Sequence, residues 1–223
     1  MGKAEAKTKQ PRKLTEAEIR RIELFRKKEE GLISEGYQRK DITITLVKAN
    51  FVGVLLTLPF ILILLVVFII YNGPSGFDMF SKTNPIKLFL YILIFAVSFI
   101  PLAVIHEGIH GLCWGSGAEN KFKDIEFGFI KEQLTPYCTC LSPLKKVRYI
   151  FGSLMPMTFL GTGIGIAAVL TGNPLILVIA FGQIFGGSGD ILVSSMLARY
   201  KTKEKDVVLL DHPTECGLVA FEK

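Results

Sequence analysis

Four long apolar segments dominate this sequence and restrict what it can fold into. They cover residues 51–71, 88–105, 149–170 and 174–198. Each has about 18 residues or more, which is the length that a helix needs to cross about 30 Å of hydrocarbon. Inside a bilayer the backbone must satisfy its own hydrogen bonds, so each segment is predicted to be a membrane-spanning α-helix. A single soluble globular domain is excluded, and the 50% hydrophobic content excludes intrinsic disorder.

The expected fold class is an all-α membrane protein with about four transmembrane helices. Alternating apolar residues at 125–129, followed by an extended run at 137–141, predict a small β-hairpin insertion in the cytosolic loop between spans two and three. Alternation at 41–46 favours a short strand before span one. We divide the chain into a basic N-terminal segment with an amphipathic helix (1–47), a four-span membrane domain (48–200) and a C-terminal tail (201–223).

The positions of the basic residues predict the orientation of these spans. Of 26 Lys and Arg residues, 24 precede span one, lie between spans two and three, or follow span four. Positive charge marks the cytosolic side, so both termini and the central loop are expected in the cytosol. The net charge of +6 then indicates attraction to anionic lipid head groups rather than to nucleic acid, because no nucleic-acid recognition motif accompanies it.

The N-terminal amphipathic helix carries a thin apolar stripe made of Ile19, Ile22 and Phe25. A narrow stripe on a heavily charged helix is typical of a helix that lies on a surface. We expect this one to lie on the membrane or on the protein's own domain, and binding to a separate partner is the alternative.

Only two acidic residues fall within or at the ends of the apolar segments, although the chain has 20 of them. These two are Glu107 and Asp190, and two of the three histidines, His106 and His110, lie beside Glu107. A charged side chain at membrane depth costs about 2.5–3.5 kcal/mol on insertion scales, so such residues usually have a function.

The motif His106-Glu107-Gly108-Ile109-His110 suggests that function. Spacing i to i+4 on a helix places both imidazoles on one face, where they can bind one Zn²⁺, with Glu107 near the open coordination position. Asp190 is the expected third ligand, because His106 lies roughly 28 Å and Asp190 roughly 24 Å from the outer ends of spans that run in the same direction. A third ligand from His212 in the tail, or none that is fixed, are the alternatives.

Charge balance and chemistry agree with this set. Zn²⁺ with Asp190 and Glu107 is close to neutral, so either metal is expected to stabilise the fold or the two carboxylates are expected to take up protons when metal is absent. The expected reaction is hydrolysis of a peptide bond with Glu107 as general base, and Asn120 is a candidate donor to the oxyanion. Cys138 and Cys140 are expected to pack rather than to bind metal.

The residues around the motif resemble known families. The order of an HEGIH helix, a glycine-rich helix and Gly189-Asp190 resembles the three-helix core of the site-two protease class of intramembrane zinc metalloproteases. The local sequence is also similar to the zincin peptidase family of prokaryotic membrane proteins, over residues 41–200, through Pro136-Tyr137-Cys138 and Gly152-Ser153-Leu154-Met155-Pro156. The resemblance implies His106, His110 and Asp190 as zinc ligands and Glu107 as the catalytic carboxylate. The site-two class usually has Asn-Pro-Asp-Gly at its aspartate, whereas this chain has Gly187-Ser188-Gly189-Asp190-Ile191.

The expected activity is therefore that of a membrane-embedded zinc metalloprotease. Its substrates would be membrane proteins or peptides, cleaved near the cytosolic face. The alternatives are a zinc-binding membrane scaffold without turnover and an oligomeric metal transporter. Neither alternative needs a general base beside the first histidine, so Glu107 distinguishes them from a protease.

Overall fold

A computed structural model describes residues 16–81, 83–130 and 135–223, so the first 15 residues of the predicted N-terminal segment lie outside the described part. The chain is mostly helical. The helices are α1 (Glu16–Ser34), α2 (Leu46–Asn72), α3 (Asp78–Ser81), α4 (Pro85–Gly115), α5 (Lys146–Pro156), α6 (Gly163–Thr171), α7 (Pro174–Gly186) and α8 (Ser188–Arg199). The strands are β1 (Gln38–Ile44), β2 (Ile125–Ile130), β3 (Thr135–Cys140), β4 (Leu144–Lys145), β5 (Val207–Asp211) and β6 (Cys216–Glu222).

Three stretches of helix are long and apolar enough to cross a membrane. They are α2, α4 and the continuous stretch from α5 through α6, Lys146–Thr171. Helices α7 and α8 together make a fourth stretch of this kind if the bent pair is counted as one. All four segments that the sequence predicts to be helical are therefore helical.

The third stretch is not a uniform α-helix. Between α5 and α6 the residues Met157–Thr162 form a π-helical turn. It follows Pro156, which has no N–H to donate and therefore interrupts the regular helical hydrogen bonding. Gly161 in this turn faces Ile184 of α7, whose side chain would lie 2.7 Å from a Cβ at that position. The absence of a side chain thus lets the two helices approach closely.

The fourth stretch is broken, which corrects the expectation of one continuous helix. Helix α7 ends at Gly186, α8 begins at Ser188, and the two are bent by 43°. Glycine is a poor helix former, and several glycines surround this break. The break brings Asp190 into the first turn of α8. A carboxylate is favoured there because the N-terminal end of a helix carries partial positive charge.

The C-terminal tail forms most of a sheet that the sequence analysis did not predict. Strands β5 and β6 join β1 and β4 in a four-stranded antiparallel sheet of order β1-β6-β5-β4. One face packs against Phe25 of α1 through Val208, Leu210, Val219 and Phe221. The other face packs on the ends of α4, α5 and α8 through Leu209, Leu218 and Ala220. The sheet lies between α1 and the helices, and β1 confirms the short strand predicted before span one.

The hairpin predicted in the central loop is present. Strands β2 and β3 pair antiparallel, with Phe127 opposite Cys138. The hairpin packs on the last turns of α4, where Gly111 leaves room for Phe127, and Gly115 leaves room for Phe122 in the turn before β2. Both contacts would be closer than 3 Å to a Cβ at these glycines. The hairpin therefore lies directly on the helix that carries the HEGIH motif.

Helix α1 rests on the domain, which is one of the two placements expected for its apolar stripe. Phe25 is buried against the sheet, whereas Ile19 is 44% exposed. Arg20 forms an ion pair with Glu126 of β2, with 3.0 Å between the charged atoms. Arg21 lies over the ring of Tyr137 in β3. The basic residues of α1 thus hold it across the hairpin.

Candidate metal centre

The two histidines of the motif lie together near the end of α4. They are one turn apart, their ring centroids are 4.9 Å apart, and both side chains are buried. Helix α4 begins at Pro85 behind the N-cap Asn84 and continues without a break for 31 residues. This length carries His106 and His110 to the end of the molecule where the hairpin and the sheet pack.

Asp190 meets both histidines from α8. The Nε2 atom of His106 lies 3.1 Å from Oδ2 of Asp190, and Nε2 of His110 lies 3.3 Å from Oδ1. One ligand atom from each of the three residues lies within 4.8 Å of the others. Within residues 16–81, 83–130 and 135–223, no other group of His, Cys, Asp or Glu side chains converges in this way.

These distances fit a bound zinc ion. In a tetrahedral site with metal–ligand distances of about 2.0–2.2 Å, neighbouring ligand atoms are about 3.3–3.6 Å apart. The two histidine–aspartate distances are close to this range, and two imidazoles with one carboxylate are a donor set that suits zinc. Three protein ligands leave a fourth position open, which is characteristic of catalytic rather than structural zinc sites.

His110 is held in place by its surroundings. Its Nδ1 lies 2.9 Å from the carbonyl oxygen of Gly152 in α5, and because a carbonyl can only accept, Nδ1 carries the proton of this bond. Its Nε2 is then free to bind a metal. The ring also stacks on Trp114 at 4.7 Å, and Trp114 donates through Nε1 to the carbonyl of Tyr149 at 3.1 Å.

Glu107 points from the same helix turn toward the hairpin. Its carboxylate accepts a hydrogen bond from the backbone N–H of Cys138 in β3. The side chain is partly buried and lies near the two histidines and Asp190. The residue that the sequence suggests as general base therefore lies between the three candidate ligands and a strand of the hairpin.

A cavity of about 250 Å³ borders the centre on the side of Asp190. Asn50, Ser153 and Ser188 contribute polar side chains to its lining. The rest of the lining is mostly apolar, so these side chains and the Asp190 carboxylate are the groups that can bind water in the cavity. The centre therefore has space for water beside the carboxylate.

Two candidates from the sequence lie elsewhere. His212 does not reach the centre, and its Nδ1 accepts the backbone N–H groups of Thr214 and Glu215 within its own turn. Asn120, the candidate oxyanion donor, is exposed in the loop after α4, and its amide donates to Asp124. Of the alternatives for a third ligand, the structure brings Asp190 alone to the two histidines.

The paired cysteines of β3 remain free thiols, and neither belongs to the candidate ligand group. Cys140 belongs to the apolar cluster between the sheet and the helices, and Cys138 is partly buried against the same cluster. Burial raises the pKa of the Cys140 thiol to about 12 and raises that of Cys138 as well. Both thiols are therefore protonated and weakly nucleophilic at neutral pH, which agrees with the expected packing role.

Sequence reasoning missed the residues that support the ligands. Trp114, Tyr149 and Gly152 carry no local pattern that predicts a part in the centre. Their roles depend on contacts between α4 and α5 that are 35 or more positions apart in the chain. Gly152 itself was the available signal, since a glycine often marks a close approach.

Comparison with known proteins gives one match. Residues 99–204 match the model of a family described as "Putative zincin peptidase". No curated protein and no solved structure matches the chain. The name of the family implies zinc as the cofactor and suggests metallopeptidase activity. The matched segment contains His106, Glu107, His110 and Asp190, so the comparison supports a zincin-like chain whose candidate metal centre lies within the matched part.

Proposed function

We propose that this protein is a membrane-embedded zinc metalloprotease that hydrolyses peptide bonds of membrane proteins or peptides near the cytosolic face. One observation carries the proposal. Two histidines and an aspartate present converging ligand atoms, and Glu107 follows the first histidine on the same helix. The match to a zincin family supports the same activity.

The exposure of the apolar helices supports a membrane location. In the most apolar part of α4 no residue is buried, and in that of α2 only 17% of residues are buried. Ile86 and Ile100 of α4, for example, are 73% and 72% exposed. Soluble monomeric proteins rarely expose continuous apolar patches larger than a few hundred Å². Hydrocarbon is the environment in which such a surface is stable.

The basic residues support the orientation that we propose, with both termini and the hairpin in the cytosol. Lys145, Lys146 and Arg148 precede or begin the third apolar stretch, and Arg199 ends the fourth. This end of the molecule also carries the sheet and the candidate centre. Basic groups near the membrane surface attract anionic lipid head groups, so we propose these lipids as partners.

The chemistry follows from what each side chain can do. His106, His110 and Asp190 would hold a zinc ion, which supplies Lewis acidity and lowers the pKa of water. Glu107 takes a proton from the attacking water and later gives it to the nitrogen of the leaving amine. Gly152 keeps the His110 ring in the orientation and tautomer that metal binding needs.

We propose that the substrate strand binds along the edge of β3. The N–H of Cys138 faces Glu107, so the backbone of Cys138 points away from β2 at this edge. Pro136 lies two residues earlier and points to the same edge. Proline has no N–H, so it adds no unpaired donor to this edge. A helical substrate must unwind before cleavage, and pairing with a free edge would hold it extended.

The Glu107→Gln variant tests the proposed function. The protein is purified in detergent, zinc content is measured, and cleavage of a library of single-span membrane peptides is followed in liposomes. We expect the variant to retain zinc and to lose cleavage by a factor of about 10³ or more, because general-base catalysis alone contributes about 10²–10⁴. Glu119→Gln is the matched control, since Glu119 lies exposed after α4 and pairs with Lys28.

Four outcomes decide between the candidate functions. Retained zinc with lost cleavage supports the protease. Cleavage that survives in Glu107→Gln contradicts the assigned mechanism. Zinc binding without cleavage of any peptide in the wild type favours a scaffold, and zinc flux into liposomes favours a transporter.

The edge of β3 is tested by Cys138→Pro, which removes its outward N–H. We expect an increase in KM because the substrate strand loses a hydrogen bond, and a fall in kcat because Glu107 loses the same N–H as a partner, with zinc content unchanged. Cys138→Ala keeps the N–H and is the control. An unchanged KM in Cys138→Pro would show that substrate does not pair with this edge.

A further inference from the structure

We propose that Asp211, at the end of β5, is a positioning residue. It fixes the position of α5, which orients the metal ligand His110, relative to β3, which contacts the general base Glu107. The proposal rests on the proposed function. It assigns a role to β5, which lies outside the segment matched by the zincin family. Asp211 belongs to neither the candidate ligand group nor the HEGIH motif.

Both oxygens of the Asp211 carboxylate are used, each by a different element. Oδ1 accepts a hydrogen bond from the hydroxyl of Tyr149 in α5, and Oδ2 accepts one from the hydroxyl of Thr139 in β3. Tyr149 and Thr139 are both buried, whereas Asp211 is partly exposed. Hydrogen bonds to a charged group are stronger than those between neutral groups. One carboxylate therefore joins α5 to the hairpin.

The connection through α5 leads to the metal ligands. The carbonyl of Tyr149 accepts the Nε1 hydrogen bond of Trp114, whose ring stacks on His110. Gly152, one turn further along α5, accepts the Nδ1 hydrogen bond of His110. The position of α5 thus determines where the imidazole of His110 points.

The connection through β3 leads to the general base. Thr139 follows Cys138, whose backbone N–H donates to the carboxylate of Glu107. Side chains on a strand alternate between its two faces, so the Thr139 hydroxyl can bind Asp211 while Cys138 faces the centre. The position of β3 thus affects the orientation of the Glu107 carboxylate.

Two conservative substitutions each remove one of the two hydrogen bonds to Asp211 and so test the two connections separately. Tyr149→Phe removes only the hydroxyl that binds Oδ1, and Thr139→Val removes only the hydroxyl that binds Oδ2. We expect Tyr149→Phe to weaken zinc affinity by about 3- to 10-fold, below the 10- to 100-fold typical when a direct partner of a ligand is lost. We expect Thr139→Val to leave zinc affinity within twofold and to lower kcat by about 10-fold at unchanged KM.

Tyr200→Phe is the matched control for both. The hydroxyl of Tyr200 donates to Glu222 of β6, so this variant also removes a tyrosine–carboxylate bond at the sheet, but one that does not lead to the centre. We expect a lower melting temperature with zinc affinity and kcat unchanged. This separates loss of stability from loss of positioning.

The experiment measures zinc affinity by competition with a chelator, kcat and KM with a cleaved peptide, and the melting temperature of each variant. The predicted result is the split, with Tyr149→Phe changing affinity and Thr139→Val changing kcat. The proposal is overturned if both variants change only the melting temperature, as Tyr200→Phe does, or if both change the same parameter equally. Absence of zinc from the wild type would instead contradict the proposed function, and the affinity measurement reveals this before any cleavage is tested.

Discussion

Substituting Gly152 by alanine should weaken zinc binding without touching any proposed ligand. A Cβ at this position would lie 2.1 Å from Nε1 and 2.2 Å from Cδ1 of Trp114. Ordinary contacts of this kind begin at about 3.4 Å, so the indole or the α5 backbone must move by about 1.3 Å. Either movement disturbs His110, because Trp114 stacks on its ring and the carbonyl of Gly152 accepts its Nδ1 hydrogen bond.

The magnitude of the effect has two parts. Overpacking of this kind costs about 1–3 kcal/mol of stability. Loss of the group that orients a metal-binding histidine lowers metal affinity by about 10- to 100-fold, which is about 1.4–2.7 kcal/mol. The stabilisation that saturating zinc gives to the folded protein should fall by the same amount, because ligand binding to the native state adds directly to its stability.

The assay is a chelator competition that gives the zinc dissociation constant, together with melting curves of the apo and zinc-loaded protein. Gly163→Ala is the control, because a Cβ there has no neighbour within 4 Å and the residue lies in the same continuous stretch of helix. A dissociation constant for Gly152→Ala within twofold of the wild-type value would refute the argument that this backbone position orients His110.

Three further predictions concern the parts outside the helices. Burial alone would raise the pKa of Glu222, but hydrogen bonds from Lys40 and Tyr200 outweigh burial and lower the pKa. The ionised carboxylate therefore stabilises the fold at neutral pH, and this stabilisation is lost as the pH falls below about 4. Glu222→Gln should lower the melting temperature at pH 7 and reduce the further drop in melting temperature in acid. Cys140, with its pKa raised to about 12, should react with iodoacetamide at pH 8 about 10³-fold more slowly than a free thiol, as measured by mass spectrometry. Gly217→Ala should destabilise the sheet by about 2 kcal/mol or more in melting experiments, because φ is +132° and a Cβ would lie 2.2 Å from a carbonyl of β1.

The features that the sequence could predict are those that depend on local pattern. The four helices follow from the length of the apolar segments, and the hairpin follows from alternation. The candidate centre could be predicted from the few charged residues in the apolar segments, since Glu107 and Asp190 are the only acidic residues within or at the ends of these segments. These signals need no knowledge of distant contacts.

The sheet could not be predicted in the same way because both of its faces are covered. Strands β5 and β6 pack against α1 on one side and the helix ends on the other, so their residues are apolar without alternation. The partner of β6 is β1, with Gln38 paired to Glu222 almost a whole chain length away. A short apolar run in a charged tail was the available signal, but it does not identify its partners.

The supporting network around the centre was also beyond the sequence. Trp114, Tyr149 and Asp211 lie on three elements, and hydrogen bonds between distant elements connect them. No spacing rule relates such positions, because tertiary packing alone brings them together. The break near Gly187 is an intermediate case, since the glycines indicate weakness but not the direction of the bend.

X-ray absorption at the zinc edge of the purified protein tests most directly whether His106, His110 and Asp190 bind zinc. We expect one zinc per chain with nitrogen and oxygen ligands at about 2.0–2.2 Å and the scattering pattern of two imidazoles. Sulfur ligands at about 2.3 Å would point to Cys138 or Cys140 instead and would contradict the assignment, as would a protein that binds no zinc.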